Sequence, residues 1–107
     1  MKQRASEHDI QKQILDWLQL KHVFAWRNNT GAMAGSHKGK RWFVRFGKKG
    51  SPDIFAVKDG QIFGIEVKKF GETLSDDQKS WGWEFRLAGG VYIVAYELSD
   101  VTRVLDA

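Results

Sequence analysis

Ile54-Phe55-Ala56-Val57-Lys58-Asp59-Gly60-Gln61-Ile62-Phe63-Gly64-Ile65-Glu66-Val67-Lys68 is the stretch on which the fold turns. Ile54 to Val57 is a short apolar run of strand length, and Asp59-Gly60 is a hairpin dipeptide whose residues accept positive φ. Gln61 to Lys69 is then the return strand. With a two-residue loop, Lys58 faces Gln61, Val57 faces Ile62, and each further pair steps outward by one. Carried along the ladder, this register sets Asp53 opposite Glu66. Lys68, two residues beyond Glu66, projects from the same face. Facing residues of an antiparallel pair have Cβ atoms about 4.5–5.5 Å apart, so two carboxylates and an amine converge on one spot. A longer loop would shift the register and could turn one group to the other face.

Carboxylates held face to face repel one another unless a cation lies between them. Mg²⁺ takes oxygen ligands, often one or two carboxylates, and keeps waters and substrate phosphates as the rest. Each residue alone has a plainer role: Asp53 as a turn residue after Pro52, Glu66 and Lys68 as solvent-facing strand residues. Glu66 fits that role poorly, because it sits between Ile65 and Val67 in an apolar strand.

Outward from this hairpin, Ser6 is a good N-cap, and Ile10, Ile14, Leu15, Trp17 and Leu18 recur at helical spacing, which predicts a helix from Glu7 to Lys21. Glu7 shares a helix face with Gln11, Ile14 and Leu18, so it points toward the body of the protein. Val23 to Arg27 and Trp42 to Phe46 read as short strands, and glycine-rich Gly31 to Gly39 reads as a mobile loop between them. Gly47-Lys48-Lys49-Gly50 is a basic turn. Beyond the hairpin, Ser75 and Gln78 have capping-box spacing and open a helix that runs to Ala88, where Gly89-Gly90 ends it. Val91 to Tyr96 is apolar throughout, as in a strand buried on both faces. Ser99 is expected to cap a short last helix carrying Val101, Val104 and Leu105. The fold class is therefore α/β, a mixed central β-sheet flanked by α-helices, in one domain over 1–107.

Composition narrows the chemistry. The 107 residues are 42% hydrophobic and 28% charged, ordinary globular values. The absence of cysteine excludes disulfides, thiolate metal sites and cysteine nucleophiles. No apolar run approaches the roughly 20 residues of a bilayer span, and the amino terminus lacks an apolar leader, so the expected location is the cytoplasm. His8, His22 and His37 are scattered without ligand spacing, which argues against zinc. No Gly-Lys-Ser/Thr opens a helix, so there is no P-loop.

The net charge of +4 is a mild bias toward polyanions. Its distribution says more. Lys38, Lys40, Arg41, Arg45, Lys48 and Lys49 fall in one stretch without an acid, interleaved with Trp42, Phe43 and Phe46. This is a candidate DNA-binding surface acting on the backbone without sequence preference, or else an ordinary solvated turn. Trp42 could stack on a base, although an aromatic on a strand more often joins a core. Trp81, Trp83 and Phe85 read as core or as a dimer surface.

Gly50-Ser51-Pro52-Asp53 followed by Glu66-Val67-Lys68 resembles the PD-(D/E)xK nuclease superfamily. With helical Glu7, Leu74-Ser75-Asp76-Asp77-Gln78 and Gly89-Gly90-Val91, the ordered set resembles the VRR-NUC family across nearly the whole chain, as a stand-alone domain. The resemblance implies a restriction-endonuclease-like core and an Mg²⁺- or Mn²⁺-dependent endodeoxyribonuclease. It implies Asp53, Glu66, the Val67 carbonyl and Glu7 as metal ligands. Lys68 would orient or activate the attacking water, and Gln78 would support the site, unless it serves only its capping box. It further implies a homodimer acting on branched DNA such as four-way junctions. A non-catalytic DNA-binding module and a nuclease of linear duplex DNA are the alternatives.

Overall fold

The computed structural model describes residues 5–106, so Met1 to Arg4, part of the amino terminus read above as lacking an apolar leader, lie outside the described residues. The elements are α1 (Glu7–Leu20), β1 (Phe24–Arg27), β2 (Gly31–His37), β3 (Lys40–Phe46), β4 (Ile54–Lys58), β5 (Gln61–Val67), α2 (Asp76–Leu87), β6 (Val91–Ala95) and α3 (Ser99–Leu105). Four strands form one sheet in the order β1-β4-β5-β6, and β2-β3 forms a second. The main sheet is mixed: β4 runs antiparallel to β1 and β5, while β6 is parallel to β5. Parallel neighbours need a crossover, and α2 supplies it.

The central hairpin has the expected register, Lys58 with Gln61 through Ile54 with Ile65. Asp59 (φ 51°) and Gly60 (φ 77°) take the two left-handed conformations of a type I′ turn. Alternation along β4 and β5 then sorts the faces. Ile54, Ala56, Phe63 and Ile65 are buried with Ile10, Ile14 and Leu18 of α1 and with Val101 and Leu105 of α3. On the opposite face Phe55 meets Trp81 and Phe85 of α2, at ring-centroid separations of 5.8 and 6.2 Å. Trp81 and Phe85 thus line a core, whereas Trp83 is exposed. Tyr92 and Ile93 are both buried although they point to opposite faces, as expected for β6. β5 ends at Val67 rather than Lys69, although the Lys68 N–H still donates to the Ala95 carbonyl (3.0 Å).

Two expectations about local structure fail. Gly31 to His37 is a strand, not a mobile loop; it pairs with β3 from Gly31–Phe46 through His37–Lys40. Lys38 (φ 50°) and Gly39 (φ 78°) form the same left-handed turn as Asp59 and Gly60. Lysine gives little warning of positive φ, so this hairpin is poorly signalled in sequence. Its small residues are in extended conformation because β3 satisfies their backbone, not because their side chains favour strands. The other failure is Ser99, whose side chain does not cap α3; it donates to Glu97 Oε1 (2.6 Å). Asp100 Oδ2 instead accepts from the Tyr96 and Glu97 N–H groups, at 2.9 and 3.3 Å.

The β2–β3 ribbon packs mainly on itself and stands out from the body as an arm. The radius of gyration of 15.8 Å exceeds the roughly 13 Å of a compact chain of this length. Trp42, expected in a core, lies instead on the arm over Gly35 and is 42% exposed. Among the described residues, no helix is long and apolar enough to cross a membrane.

Candidate active site

The sheet edge where β4 begins and β5 ends also receives the first turn of α2. A parallel β5-α2-β6 unit has this geometry, which brings a helix N-terminus to the carboxyl ends of the strands. Pro52 is buried against the Gly64 position, and Gly50 (φ 85°) lies so close to the Asp77 carbonyl that a Cβ there would stand 2.4 Å from its oxygen. Both the positive φ and the close approach call for glycine. Asn28 clamps the same loop: its side-chain amide donates to Ser51 Oγ (2.8 Å) and to the Pro52 carbonyl (2.9 Å), and its N–H donates to the Asp53 carbonyl (2.8 Å). Asp53 is thereby held at the mouth of the ladder.

Asp53 Oδ2 accepts from the Val67 N–H at 2.7 Å, which ties the first carboxylate to the strand that carries the second. Glu66 is only 4% exposed. Its Oε1 accepts from Gln78 Nε2 at 2.8 Å, and its Oε2 is buried without a hydrogen-bond partner. Gln78 bonds in two directions at once, because its Oε1 also accepts from the Ser75 N–H at 2.9 Å as the return half of the capping box.

Electrostatics show how these groups share one space. Burial, followed by the Asp53 charge, pushes the Glu66 carboxyl from 4.5 up to about 8, against the pull of Lys68. Burial also raises Asp53, opposed by the Val67 N–H and by the positive charges of Lys68 and Arg27. Burial raises Glu7 as well, helped by the neighbouring Glu72 carboxylate and by Asp53, while Lys68 opposes. Lys68 is therefore the countercharge common to Glu7, Asp53 and Glu66, as the strand register predicts for two of them. Glu7 comes within electrostatic range of the pair but stands beside Glu72. Among the described residues, no three carboxylate or imidazole side chains gather tightly enough to hold one ion.

Three contributors escaped the sequence reading. Arg27 sits at the end of β1, opposite Ile54 and one position from Asp53, where its charge reaches that carboxylate. Asn28 organises the Asp53 loop, and only a buried loop carbonyl could have called for it. Tyr92 on β6 has a buried hydroxyl without a hydrogen-bond partner; burial and then the Glu66 charge push its ionisation up. Its ring fits over Gly82, 3.0 Å from where a Cβ would stand.

Lys38, Lys40, Arg41 and Arg45 lie on the arm, with Lys48 and Lys49 just after it, and all six are exposed. Lys49 also pairs with Asp77 of α2 at 3.0 Å, an exposed contact of small energetic value. A cavity of about 510 Å³ lies elsewhere, between α1 and the start of α3, and is lined by Ile10, Phe70, Tyr96 and Asp100 among others. None of Asp53, Glu66 or Lys68 lines it. The profile of the VRR-NUC domain matches residues 5–96. A comparison with curated proteins finds no match.

Proposed function

The chain belongs to the VRR-NUC family of nuclease domains, and on that footing we propose that it is a divalent-metal-dependent endonuclease that hydrolyses DNA phosphodiester bonds. Its substrate in this reading is branched or four-way-junction DNA, and its acting form is a homodimer. One observation carries the metal requirement: the buried Glu66 Oε2 has no hydrogen-bond partner and lies beside a second carboxylate.

The donor set fits a hard cation. Asp53, Glu66 and the Val67 carbonyl would hold Mg²⁺ or Mn²⁺ in the manner of a site with one or two carboxylates and open positions for water and phosphate. Glu7 is the further carboxylate that would turn from Glu72 to join them. When bound, the ion supplies Lewis-acid stabilisation of phosphate oxygens and lowers the pKa of a coordinated water. The chain's own residues do the rest. Gln78 fixes Glu66 by holding Oε1, which leaves Oε2 as the free donor. The Val67 N–H fixes Asp53 in the same way. Lys68 places a compact positive charge where the scissile phosphate would lie and orients the attacking water. The basic stretch from Lys38 to Lys49 holds the phosphate backbone, with affinity that falls as salt rises.

Cleavage of four-way junction, flap and linear duplex DNA with Mg²⁺ or Mn²⁺, in wild type, Asp53→Asn and Lys68→Ala, tests this reading. Metal-dependent products from the wild type alone are expected. Equal cleavage by all three proteins would remove the site. DNA binding that survives EDTA, with no product under any metal, would leave a binding module. A four-way junction has two-fold symmetry and calls for paired sites, so sizing at micromolar concentration should return a dimer.

A further inference from the structure

The arm has two chemically different faces. The β2–β3 register places Ala32 opposite Arg45, Ala34 opposite Phe43 and Ser36 opposite Arg41, all on one side. The other side pairs Met33 with Val44 and Gly35 with Trp42. On the first side, Phe43 is 62% exposed, flanked by two arginines at strand positions two residues away. The Arg45 guanidinium lies 5.6 Å from the Phe43 ring centroid. Because every large residue there faces a small one, nothing on β2 rises beside the ring to shield it.

We propose that the Arg41–Phe43–Arg45 face is a platform for unpaired bases of a DNA strand, and that the substrate accordingly contains a single-stranded segment. This rests on the reading that DNA is the substrate. The partner is argued from charge: residues 31–50 contain six lysines and arginines and no acid, so a polyanion is the complementary occupant. Exposed aromatic rings bordered by cations stack on bases, since every base has a π-face, while the cations take the flanking phosphates. Arg41 and Arg45 each stand about 7 Å along the strand from Phe43, which places a positive charge on either side of a stacked base. A paired duplex offers this ring nothing, because its bases are already stacked on each other and opening a step is unfavourable. The Met33–Trp42–Val44 side has its cation, Lys40 opposite His37, only at the turn end, so no ring there has a positive charge on either side of it, and Lys40 serves the phosphate backbone rather than a stacked base.

The test is fluorescence anisotropy of the full chain in EDTA with a 16-nucleotide oligo(dT) and with a blunt duplex of equal length. Wild type should bind the single strand more tightly. Phe43→Ala should weaken oligo(dT) binding by about 5- to 150-fold, the range for removing one aromatic–base stack, and duplex binding by less than twofold. Arg41→Gln and Arg45→Gln should weaken both ligands and flatten the salt dependence, by about 0.7 in slope for each phosphate of the single strand left unneutralised. Trp42→Ala should leave the preference for oligo(dT) intact. Phe43 is exposed on a two-stranded ribbon outside the core, so an unchanged melting temperature will show that Phe43→Ala is folded. Oligo(dT) binding unaffected by Phe43→Ala, or weakened equally with duplex, would overturn the proposal. So would a change of oligomeric state in that variant, which would make the face a contact between copies of the chain. A protein that shows the Phe43 effect but cleaves no DNA with Mg²⁺ or Mn²⁺ would sustain the platform and overturn the nuclease reading.

Discussion

Two hairpins of this protein share a turn and almost nothing else. Asp59-Gly60 and Lys38-Gly39 both take the pair of positive φ values that twists strands correctly. The β4–β5 hairpin is buried between helices, and its polar groups are held by Asn28, Gln78 and the Val67 N–H. The β2–β3 hairpin is solvated on both faces and carries its charges at the surface. Burial raises the pKa values of carboxylates and fixes their positions, which suits the first to the proposed chemistry. Exposure keeps cations hydrated, which suits the second to the proposed sequence-tolerant grip.

The comparison breaks most readily at the carboxylates. Asp53→Asn and Glu66→Gln should each lower the rate of metal-dependent cleavage by about 100-fold or more, the scale of several kcal/mol of metal-centred stabilisation, without lowering the melting temperature. Single-turnover assays on one junction substrate measure this. Arm variants such as Lys40→Gln should instead raise KM and leave kcat near wild type, a split that would vanish if both hairpins did the same work.

Stability should divide along the same line. Leu18 is fully buried against the main sheet, so Leu18→Ala should destabilise by about 2–5 kcal/mol. Met33 on the arm is 58% exposed, and Met33→Ala should stay within about 0.5 kcal/mol. Urea denaturation gives both values.

Glu66 couples stability to pH in a direction that an exposed carboxylate would not. Below its ordinary value of 4.5 it is protonated whether folded or unfolded, and its contribution to stability is fully present. Between 4.5 and about 8 the unfolded chain releases a proton that the folded chain keeps, so that contribution is lost as pH rises. The loss is on the order of a few kcal/mol. The melting temperature of metal-free protein, compared between wild type and Glu66→Gln from pH 4 to 9, should show a downward slope that is shallower in the variant, where only the raised Asp53 and Glu7 carboxyls remain. Mn²⁺ should raise the wild-type value more at pH 8 than at pH 5, because it binds only the ionised form.

A more modest effect than that of the carboxylates is expected in the Asp53 loop. Asn28→Ala removes two side-chain hydrogen bonds, to Ser51 and Pro52, and should lower stability by about 1–2 kcal/mol. Cleavage should fall by about 10- to 100-fold through misplacement of Asp53, with metal affinity reduced alongside. Calorimetric titration with Mn²⁺ separates the two.

How much could be read beforehand follows from which residues speak for themselves. Asp59-Gly60 announces its turn, and a turn of known length sets a register, so the meeting of Asp53, Glu66 and Lys68 was legible in the sequence. The helix caps Ser6 and Ser75 were legible for the same local reason. Lys38-Gly39 gave no such notice, and a run of glycine and alanine took its extended form from its partner strand. Nor could Gln78 show that its cap and its grip on Glu66 coexist, since that depends on where α2 lands.

Local chemistry along the chain thus decided the α/β class, the order of most elements and the carboxylate–lysine juxtaposition, because hydrophobic period, turn residues and caps act over a few residues each. Only the packed structure decided that Glu66 would be sealed from water with one oxygen unpartnered, that Asn28 and Arg27 would stand beside Asp53, and that the basic stretch would leave the body as a two-faced arm. Those outcomes depend on contacts between segments distant in sequence, whose desolvation and charge effects exist only once the chain has closed around them.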